Sequence, residues 1–346
     1  MTENPLIDIV IPNRNKAAYL PRTLSSLLAQ SEKRWRAFVI DGESTDGSCE
    51  MLLEAAQKDP RFTVKSAKPA AVTGLSLYRS WNHGLMHVRA PYFAVLTSDD
   101  LWEPDWLGNA LDALRDSPGA VAAAARAVVI NADDEIGGPT DACRQFEASF
   151  LLNGRKRRIL GSKACALRAL LLGPIFSTIH SMVFSSALLK EGVLFSEDVG
   201  YLADIEYYLH ACLRGDIVYD TNFKALFRNY PSQESSRASG PIVSHLWRKV
   251  VTRNRELVAE QIGIPEEEIF EATEEILSRH SFIMTKPDRV TFRSSKPRAL
   301  WRMAKACVRW PKLAREYARC RCCRNRFLTE PAAALALKLS VKHGLA

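Results

Sequence analysis

The feature that most constrains the fold is an alternation of short apolar segments with helical segments over the first hundred residues. Apolar runs rich in β-branched residues predict strands, and leucines spaced three or four apart predict helices. The predicted strands are Leu6–Pro12, Arg36–Ile40, Phe62–Ser66 and Tyr92–Leu96, and the predicted helices are Ala17–Gln30, Cys49–Lys58 and Ser76–Val88. This alternation predicts an α/β fold with a mainly parallel sheet flanked by helices.

Acidic residues follow two of these strands at the point where each strand ends. Asp41 follows the second strand, and Asp99 and Asp100 follow the fourth. Sheets of this kind bind ligands at the carboxyl ends of their strands, so we expect these acids to share one crevice. Adjacent carboxylates repel each other unless a cation lies beside them, and oxygen ligands beside a phosphate suit Mg²⁺ or Mn²⁺. Taken alone, however, the Asp99–Asp100 pair also fits an ordinary turn.

Four segments in this order resemble the motifs of the inverting glycosyltransferases of family 2, which have the nucleotide-sugar-binding GT-A fold. The segments are Ile9–Asn15, Asp41–Ser48, Trp81–Gly84 and Thr97–Pro104. The resemblance covers about Leu6–Gly240. It implies a Rossmann-like GT-A catalytic domain over residues 1–240, followed by a helical C-terminal region over residues 241–346 that is basic from about residue 286.

The resemblance also implies a role for individual residues. The residues that would bind the donor are Pro12, Asn13, Asn15, Asp41, Asn82 and Asp99. Asp41 would contact the nucleobase, and Asp100 with Asp99 would hold the Mn²⁺ or Mg²⁺ that bridges the donor diphosphate. Asp204, with Glu206 in reserve, would be the catalytic base that takes the proton from the acceptor hydroxyl. An acid at that position also suits the start of a helix, where it favours the helix dipole.

Three positions depart from the family pattern. Thr97 begins the metal motif, where many relatives have Asp or Asn, and Glu43 stands where a small residue is usual. The segment Phe227–Ser235 contains no histidine, whereas relatives often show an Arg-x-His segment, so we do not expect a third metal ligand there. His180 lies where similar proteins often carry a histidine on the acceptor side, and a core or capped histidine fits equally well.

The resemblance implies an inverting, non-processive glycosyltransferase that moves one sugar from a nucleotide-diphosphate sugar, with UDP favoured. The acceptor would be a hydroxyl of a lipid-linked or polysaccharide intermediate in cell-surface glycan synthesis. Processive synthases carry a Gln-x-x-Arg-Trp motif after the base, which this sequence lacks. The alternatives are a sugar nucleotidyltransferase and a catalytically inactive nucleotide-sugar-binding module. A nicotinamide-dependent oxidoreductase is disfavoured, because Pro12–Asn15 follows the first strand in place of Gly-x-Gly-x-x-Gly.

Charge is unevenly distributed along the chain. The formal net charge is +8, yet the residues from Lys286 onward hold sixteen Lys and Arg against three acids. This basic tail, which also carries aromatic residues, predicts contact with an anionic membrane surface or a solvated helical face. It carries no recognised nucleic-acid motif, so we expect no nucleic-acid partner. The close spacing of Cys320, Cys322 and Cys323 disfavours a tetrahedral zinc site.

Two further observations bear on localisation. The first residues do not show a basic segment followed by an apolar one, which is the pattern of a signal peptide. The most apolar run, Ala120–Ile130, is too short for a membrane span and contains Arg126. We therefore expect a cytoplasmic protein with free thiols, peripheral on the inner face of the membrane if the tail binds lipid.

Overall fold

The computed structural model of the protein describes most of the chain. The described residues are 4–66, 75–140, 143–144, 147, 150, 157–173, 176, 178–233, 240–284, 312–313 and 324–345. The chain divides into two compact units. The first comprises Met1–Ala166 and Pro174–Arg237, and the second comprises Leu167–Gly173 and Ala238–Ala346.

The first unit is built on a sheet to which the described residues contribute ten strands. They are β1 Ile7–Asn13, β2 Trp35–Asp41, β3 Phe62–Ser66, β4 Tyr92–Val95, β5 Leu101–Trp102, β6 Ala120–Ile130, β7 Ile136–Pro139, β8 Arg157–Leu160, β9 Met182–Ser185 and β10 Asp216–Arg228. The order is β3-β2-β1-β4-β9-β6-β10-β5, with β7 beside β6 and β8 beside β10. The predicted α/β fold class is confirmed.

The strands are parallel in one half of the sheet and mixed in the other. β1 pairs in parallel with β2 and with β4, and β2 pairs in parallel with β3. β9 runs antiparallel to both β4 and β6 and so joins the two halves. The parallel arrangement predicted from the N-terminal alternation therefore holds for β1 to β4, and it is interrupted where β9 enters the sheet.

Along the chain up to residue 212, the helices of the described residues are α1 Leu20–Leu28, α2 Ser48–Lys58, α3 Leu75–Leu85, α4 Trp106–Arg115, α5 Ser162–Leu172, α6 Ala187–Lys190 and α7 Ala203–Cys212. Helices α1 and α3 pack on opposite faces of the parallel half. The three isoleucines of β1 share one core with Leu20, Leu24 and Leu27 of α1 and with Trp106 of α4. Val10 points to the opposite face, where a Cβ placed on Gly84 of α3 would lie 2.2 Å from its Cγ1. Gly84 is thus the residue that lets α3 approach β1.

The second unit is helical in its described residues. It contains α8 Gly240–Ile262, α9 Glu266–Met284 and α10 Arg324–Lys342. Glu268 of α9 forms a 2.8 Å ion pair with Lys342 and lies 3.2 Å from His343, so it connects α9 to the end of α10. No helix of the described residues is long and apolar enough to cross a membrane. Most of the basic tail lies outside the described residues, including Cys320, Cys322 and Cys323.

Candidate active site

The loops that follow β1 and β2 meet through a buried asparagine–aspartate pair. Asn13 and Asp41 are register partners at the ends of these parallel strands. The Asn13 amide donates 2.8 Å to Asp41 Oδ1 and 3.0 Å to Ser48 Oγ. Asp41 also accepts the backbone N–H of Ser44 at 3.0 Å and its hydroxyl at 2.7 Å. The ends of β1 and β2 are therefore joined by these side chains. Pro12, the residue before Asn13, is buried in β1.

The two loops are held in shape by left-handed backbone at Asn15 and Glu43. Asn15 has a φ of 52° and Glu43 a φ of 56°. The Asn15 backbone donates 3.0 Å to Ser44 Oγ, and its side-chain oxygen accepts the Thr45 N–H at 2.8 Å. A left-handed φ is easily adopted by Gly or Asn and costs about 1–2 kcal/mol for most other residues. A small residue would adopt this conformation at less cost than Glu43 does.

Asp100 is enclosed by protein donors. It is 4% exposed, and its Oδ1 accepts the Arg228 backbone N–H at 2.8 Å. Its Oδ2 accepts the Thr97 hydroxyl and lies 3.1 Å from Nδ1 of the buried His180. Burial opposes the ionisation of Asp100, but His180 and the hydrogen bonds from Thr97 and Arg228 outweigh it and lower the pKa below its ordinary value.

Asp99 forms a partly exposed cluster with two residues from distant parts of the chain. Lys16 Nζ lies 2.8 Å from Asp99 Oδ2, and the Tyr230 hydroxyl donates to the same oxygen at 2.5 Å. Lys16 also donates to the Tyr230 hydroxyl. The side chains of Lys16 and Asp99 are 20% and 15% exposed. We call Lys16, Asp99 and Tyr230 the lysine cluster. It joins the loop after β1 to the loop after β4, at the same edge of the sheet as the Asn13–Asp41 pair.

A buried arginine fixes the backbone beneath this cluster. The Arg228 guanidinium donates 2.7 Å to the Asp99 carbonyl and 2.9 Å to the Asn131 carbonyl. It also pairs with Asp134 at 2.5 Å, and its side chain is fully buried. Tyr19 lies against it, with the guanidinium carbon 5.0 Å from the ring centroid. Arg228 therefore links the Asp99–Asp100 turn to the turn between β6 and β7.

Asp204 lies at the start of α7, as predicted, in an environment that favours its protonated form. Burial raises the pKa of its carboxyl from 3.8 to about 6, against the effect of a 2.8 Å hydrogen bond from the Ile205 N–H. Tyr78 and Tyr208 lie close to it: burial raises the pKa of both phenols, and the Asp204 charge raises it further. A pKa near 6 suits a base that works near neutral pH. Glu206, the reserve candidate, is 1% exposed.

Asn82 connects α3 to the segment that leads to α7. Its side-chain nitrogen donates 2.8 Å to the Phe195 carbonyl, and its side-chain oxygen accepts the Phe195 N–H at 3.0 Å. The nitrogen and the oxygen of the Asn82 side chain are therefore both hydrogen-bonded to the backbone of Phe195. A contact between Asn82 and a donor would require this pair of hydrogen bonds to open, and the predicted donor role of Asn82 stays a prediction.

The expected divalent cation does not fit the carboxylates as they are arranged. Asp99 Oδ2 already has an ammonium and a phenol as neighbours, and both oxygens of Asp100 have donors inside the protein. No group of three or more His, Cys, Asp or Glu side chains in the described ranges is placed to hold a metal ion. A metal ligated by Asp99 and Asp100 would have to displace Lys16, Tyr230 or the Thr97 hydroxyl.

Sequence reasoning did not identify Lys16, Tyr230 or Arg228 as parts of this site. The available signal was the segment Arg228-Asn229-Tyr230, which stands where the resemblance implies an Arg-x-His segment. Lys16 is one of only two basic residues in the loop after β1, but nothing in its immediate sequence connects it to Asp99.

The sequence is similar to known glycosyltransferases. Residues 8–175 match the family described as Glycosyl transferase family 2. Over these residues, which are just under half of the chain, the sequence is similar to glycosyltransferase family 2. A Bacillus subtilis protein named for teichuronic acid biosynthesis, the glycosyltransferase TuaG, is 32% identical over 108 residues. That segment covers 31% of this chain and 41% of TuaG, so the chain matches less than half of that relative's length.

Solved structures agree in fold. Residues 1–349 of Staphylococcus aureus TarS, solved with UDP-GlcNAc, superpose with a TM-score of 0.60 at 15% identity, covering 98% of this chain and 92% of that one. The mannosyltransferase PcManGT of Pyrobaculum calidifontis, solved with GDP-Man and Mn²⁺, gives a TM-score of 0.54 at 20% identity, covering 99% and 88%. Both are GT-A glycosyltransferases, and the GT-A fold predicted for this chain is confirmed.

Proposed function

We propose that the protein transfers a single sugar, with inversion, from a nucleotide-diphosphate sugar to a hydroxyl group of a cell-surface glycan or its lipid-linked precursor. The observation that carries this proposal is the meeting of the loops after β1, β2 and β4, through Asn13–Asp41 and Lys16–Asp99. Ligand sites of α/β sheets lie at the carboxyl ends of the strands. The family match, TuaG, and the nucleotide sugars bound to TarS and PcManGT support the class of substrate.

The donor would lie along these loops. Its nucleoside would contact Pro12, Asn13, Asn15 and Asp41, and its diphosphate would lie at the lysine cluster. UDP is the favoured nucleotide, in line with the UDP-GlcNAc bound to TarS. We also propose residues 1–240 as the catalytic domain and residues 241–346 as a separate C-terminal region.

The chemical step uses Asp204 as the base. The acceptor hydroxyl oxygen attacks the anomeric carbon and forms the new glycosidic bond, while the bond from that carbon to the diphosphate oxygen breaks. The nucleoside diphosphate leaves with the electron pair, and the hydroxyl proton passes to Asp204. The raised pKa of Asp204, about 6, makes it a stronger base than an ordinary carboxylate and leaves it ionised at neutral pH.

The Mn²⁺ or Mg²⁺ that the resemblance implies remains a prediction for this chain. Asp99 and Asp100 are the oxygen ligands it would use, but they fit a cation only after protein donors withdraw. No step of the proposed reaction is assigned to the metal.

The test measures donor binding and donor consumption separately. We expect one or more UDP-sugars to raise the melting temperature, and we expect slow release of UDP when water replaces the unknown acceptor. Asp204→Asn should keep the thermal shift and lose most of the UDP release. Equal release by wild type and Asp204→Asn would support the inactive binding module. A sugar nucleotidyltransferase would instead release pyrophosphate from a nucleoside triphosphate and a sugar phosphate. No shift with any nucleotide sugar would overturn the proposal.

The basic tail gives the protein a way to reach a lipid-linked acceptor. We propose that residues from about Lys286 bind anionic vesicles, because sixteen basic residues against three acids attract such a surface. A chain ending before Lys286 should no longer sediment with vesicles that contain phosphatidylglycerol, while it still binds a UDP-sugar. Sedimentation of the shortened chain would show that the tail is not the anchor.

A further inference from the structure

The lysine cluster holds a cation at the place where the family motif predicts a metal. Lys16 Nζ lies 2.8 Å from Asp99 Oδ2, which is the length of a charge-assisted hydrogen bond. The same oxygen accepts the Tyr230 hydroxyl at 2.5 Å. One carboxylate oxygen thus already has a full positive charge and a second donor beside it. A divalent cation bound to this oxygen would repel the ammonium at close range.

The second carboxylate of the motif does not offer an alternative site. The side chain of Asp100 is 6% exposed, and His180 beside it is 1% exposed. Its oxygens are taken by the Arg228 N–H and the Thr97 hydroxyl. Thr97 stands where many relatives have an acid or an amide. The substitution places a hydroxyl donor, in contact with Asp100, at a position that relatives fill with an oxygen acceptor.

Tyr230 also departs from the family pattern. In relatives with an Arg-x-His segment, the position two residues after the arginine is a histidine, and here that position carries a phenol. A neutral phenol is a weak metal ligand. The Tyr230 phenol donates its O–H to Asp99 Oδ2 at 2.5 Å, so its hydrogen already faces the carboxylate.

We propose that the Lys16 ammonium takes the place of the divalent cation and neutralises the donor diphosphate directly. This proposal rests on the proposed function above. An ammonium has three N–H donors, and contacts within the described residues account for two of them, to Asp99 and to Tyr230. The third N–H is available to a phosphate oxygen. At 20% exposure the Lys16 side chain can be reached by a ligand while remaining fixed by its two partners. Asp99 and Tyr230 are then positioning residues for Lys16.

The test measures the dissociation constant of UDP by calorimetry in EDTA and, separately, in excess Mn²⁺. Wild type should bind UDP in EDTA within about threefold of its affinity in Mn²⁺. Lys16→Met should bind UDP about 10- to 100-fold more weakly in EDTA, because it loses a charge-assisted phosphate contact. Lys16→Arg, which retains the charge, should recover most of the affinity. Lys58→Met is the matched control, since Lys58 forms an exposed ion pair with Glu54 on α2.

A second measurement follows Mn²⁺ itself by electron paramagnetic resonance, without nucleotide. Wild type should leave Mn²⁺ in its free form. The double variant Lys16→Met with Tyr230→His removes the ammonium and restores a nitrogen ligand, so it should bind Mn²⁺ and make UDP binding sensitive to EDTA. Thermal unfolding of each variant confirms that it is folded.

The outcomes separate this inference from the proposed function. UDP binding by wild type that needs Mn²⁺, or Lys16→Met affinity equal to wild type in EDTA, would overturn the role of Lys16 and leave the glycosyltransferase proposal intact. Failure of wild type to bind any nucleotide or nucleotide sugar in either buffer would overturn both.

Discussion

Replacing Asp204 with asparagine should abolish turnover and at the same time stabilise the fold. The pKa of Asp204 in the folded protein is about 6, above the ordinary value of 3.8, because burial disfavours the charge. The folded protein therefore holds this proton more tightly than the unfolded chain. Stability from this group is complete below about pH 4 and is lost as the pH rises through about 6. Asparagine has the same shape and carries no charge, so it avoids this loss.

The size of the effect follows from the shift of about two pKa units. At pH 8 the ionised carboxylate costs at most about 3 kcal/mol of unfolding free energy, and at pH 5 about 1.6 kcal/mol. The advantage of Asp204→Asn over wild type should therefore grow by about 1.4 kcal/mol between these two pH values. Turnover by wild type should fall about tenfold for each pH unit below 6, because the base is then protonated.

Urea unfolding at pH 5, 6, 7 and 8 measures the stability difference, and UDP release from the donor over the same range measures turnover. Asp105→Asn is a suitable control, because Asp105 is exposed and its side chain forms no cap hydrogen bond at the start of α4. It should change neither the unfolding free energy nor the activation free energy of UDP release by more than about 0.5 kcal/mol. A stability difference between Asp204→Asn and wild type that does not change with pH would refute the buried-base reasoning, as would turnover retained by Asp204→Asn.

Three further substitutions test features of the fold around the site. Gly84→Ala should lower the unfolding free energy by about 1–3 kcal/mol, because its Cβ would lie 2.2 Å from Val10 Cγ1; a urea midpoint equal to wild type would contradict the tight packing of α3 on β1. Asn82→Ala should lower it by about 1–3 kcal/mol through the loss of both Phe195 hydrogen bonds, with the UDP affinity changed less than about threefold; a larger affinity loss in a folded variant would support a donor contact. Glu43→Asn should raise the melting temperature, because asparagine tolerates the φ of 56° better than glutamate; no rise would argue against strain at this residue.

The parallel half of the sheet could be predicted from sequence because its signals are local. Each of β1 to β4 is an apolar run with a helix before or after it, and the predicted strand Phe62–Ser66 has the same bounds as β3. β6 was not recognised, because its alanines have a low strand propensity. It becomes a strand through burial between β9 and β10, and Arg126 within it is paired with Glu147 at 2.7 Å. Such pairing depends on distant segments, which a local pattern does not reveal.

The site shows the same division between local and distant signals. Asn13 and Asp41 each stand at the end of a strand that the sequence predicts, so a local pattern can suggest both residues. The lysine cluster instead joins residues that are 83 and 131 positions apart from Asp99. A lysine in a loop and a tyrosine after a strand have many ordinary uses, so neither residue type predicts a shared carboxylate. Only the folded chain brings them to one oxygen atom.

The position of β9 decides how short this protein can be made. The family match ends at residue 175, yet β9 follows at Met182–Ser185 and lies between β4 and β6. A chain that stopped at residue 175 would leave the hydrogen-bonding groups of β4 and β6 unpaired along two open edges, and β6 would also lack β10. Open edges of this kind recruit other chains. The region that matches the family therefore lacks strands that the fold needs, and expressed alone it should aggregate.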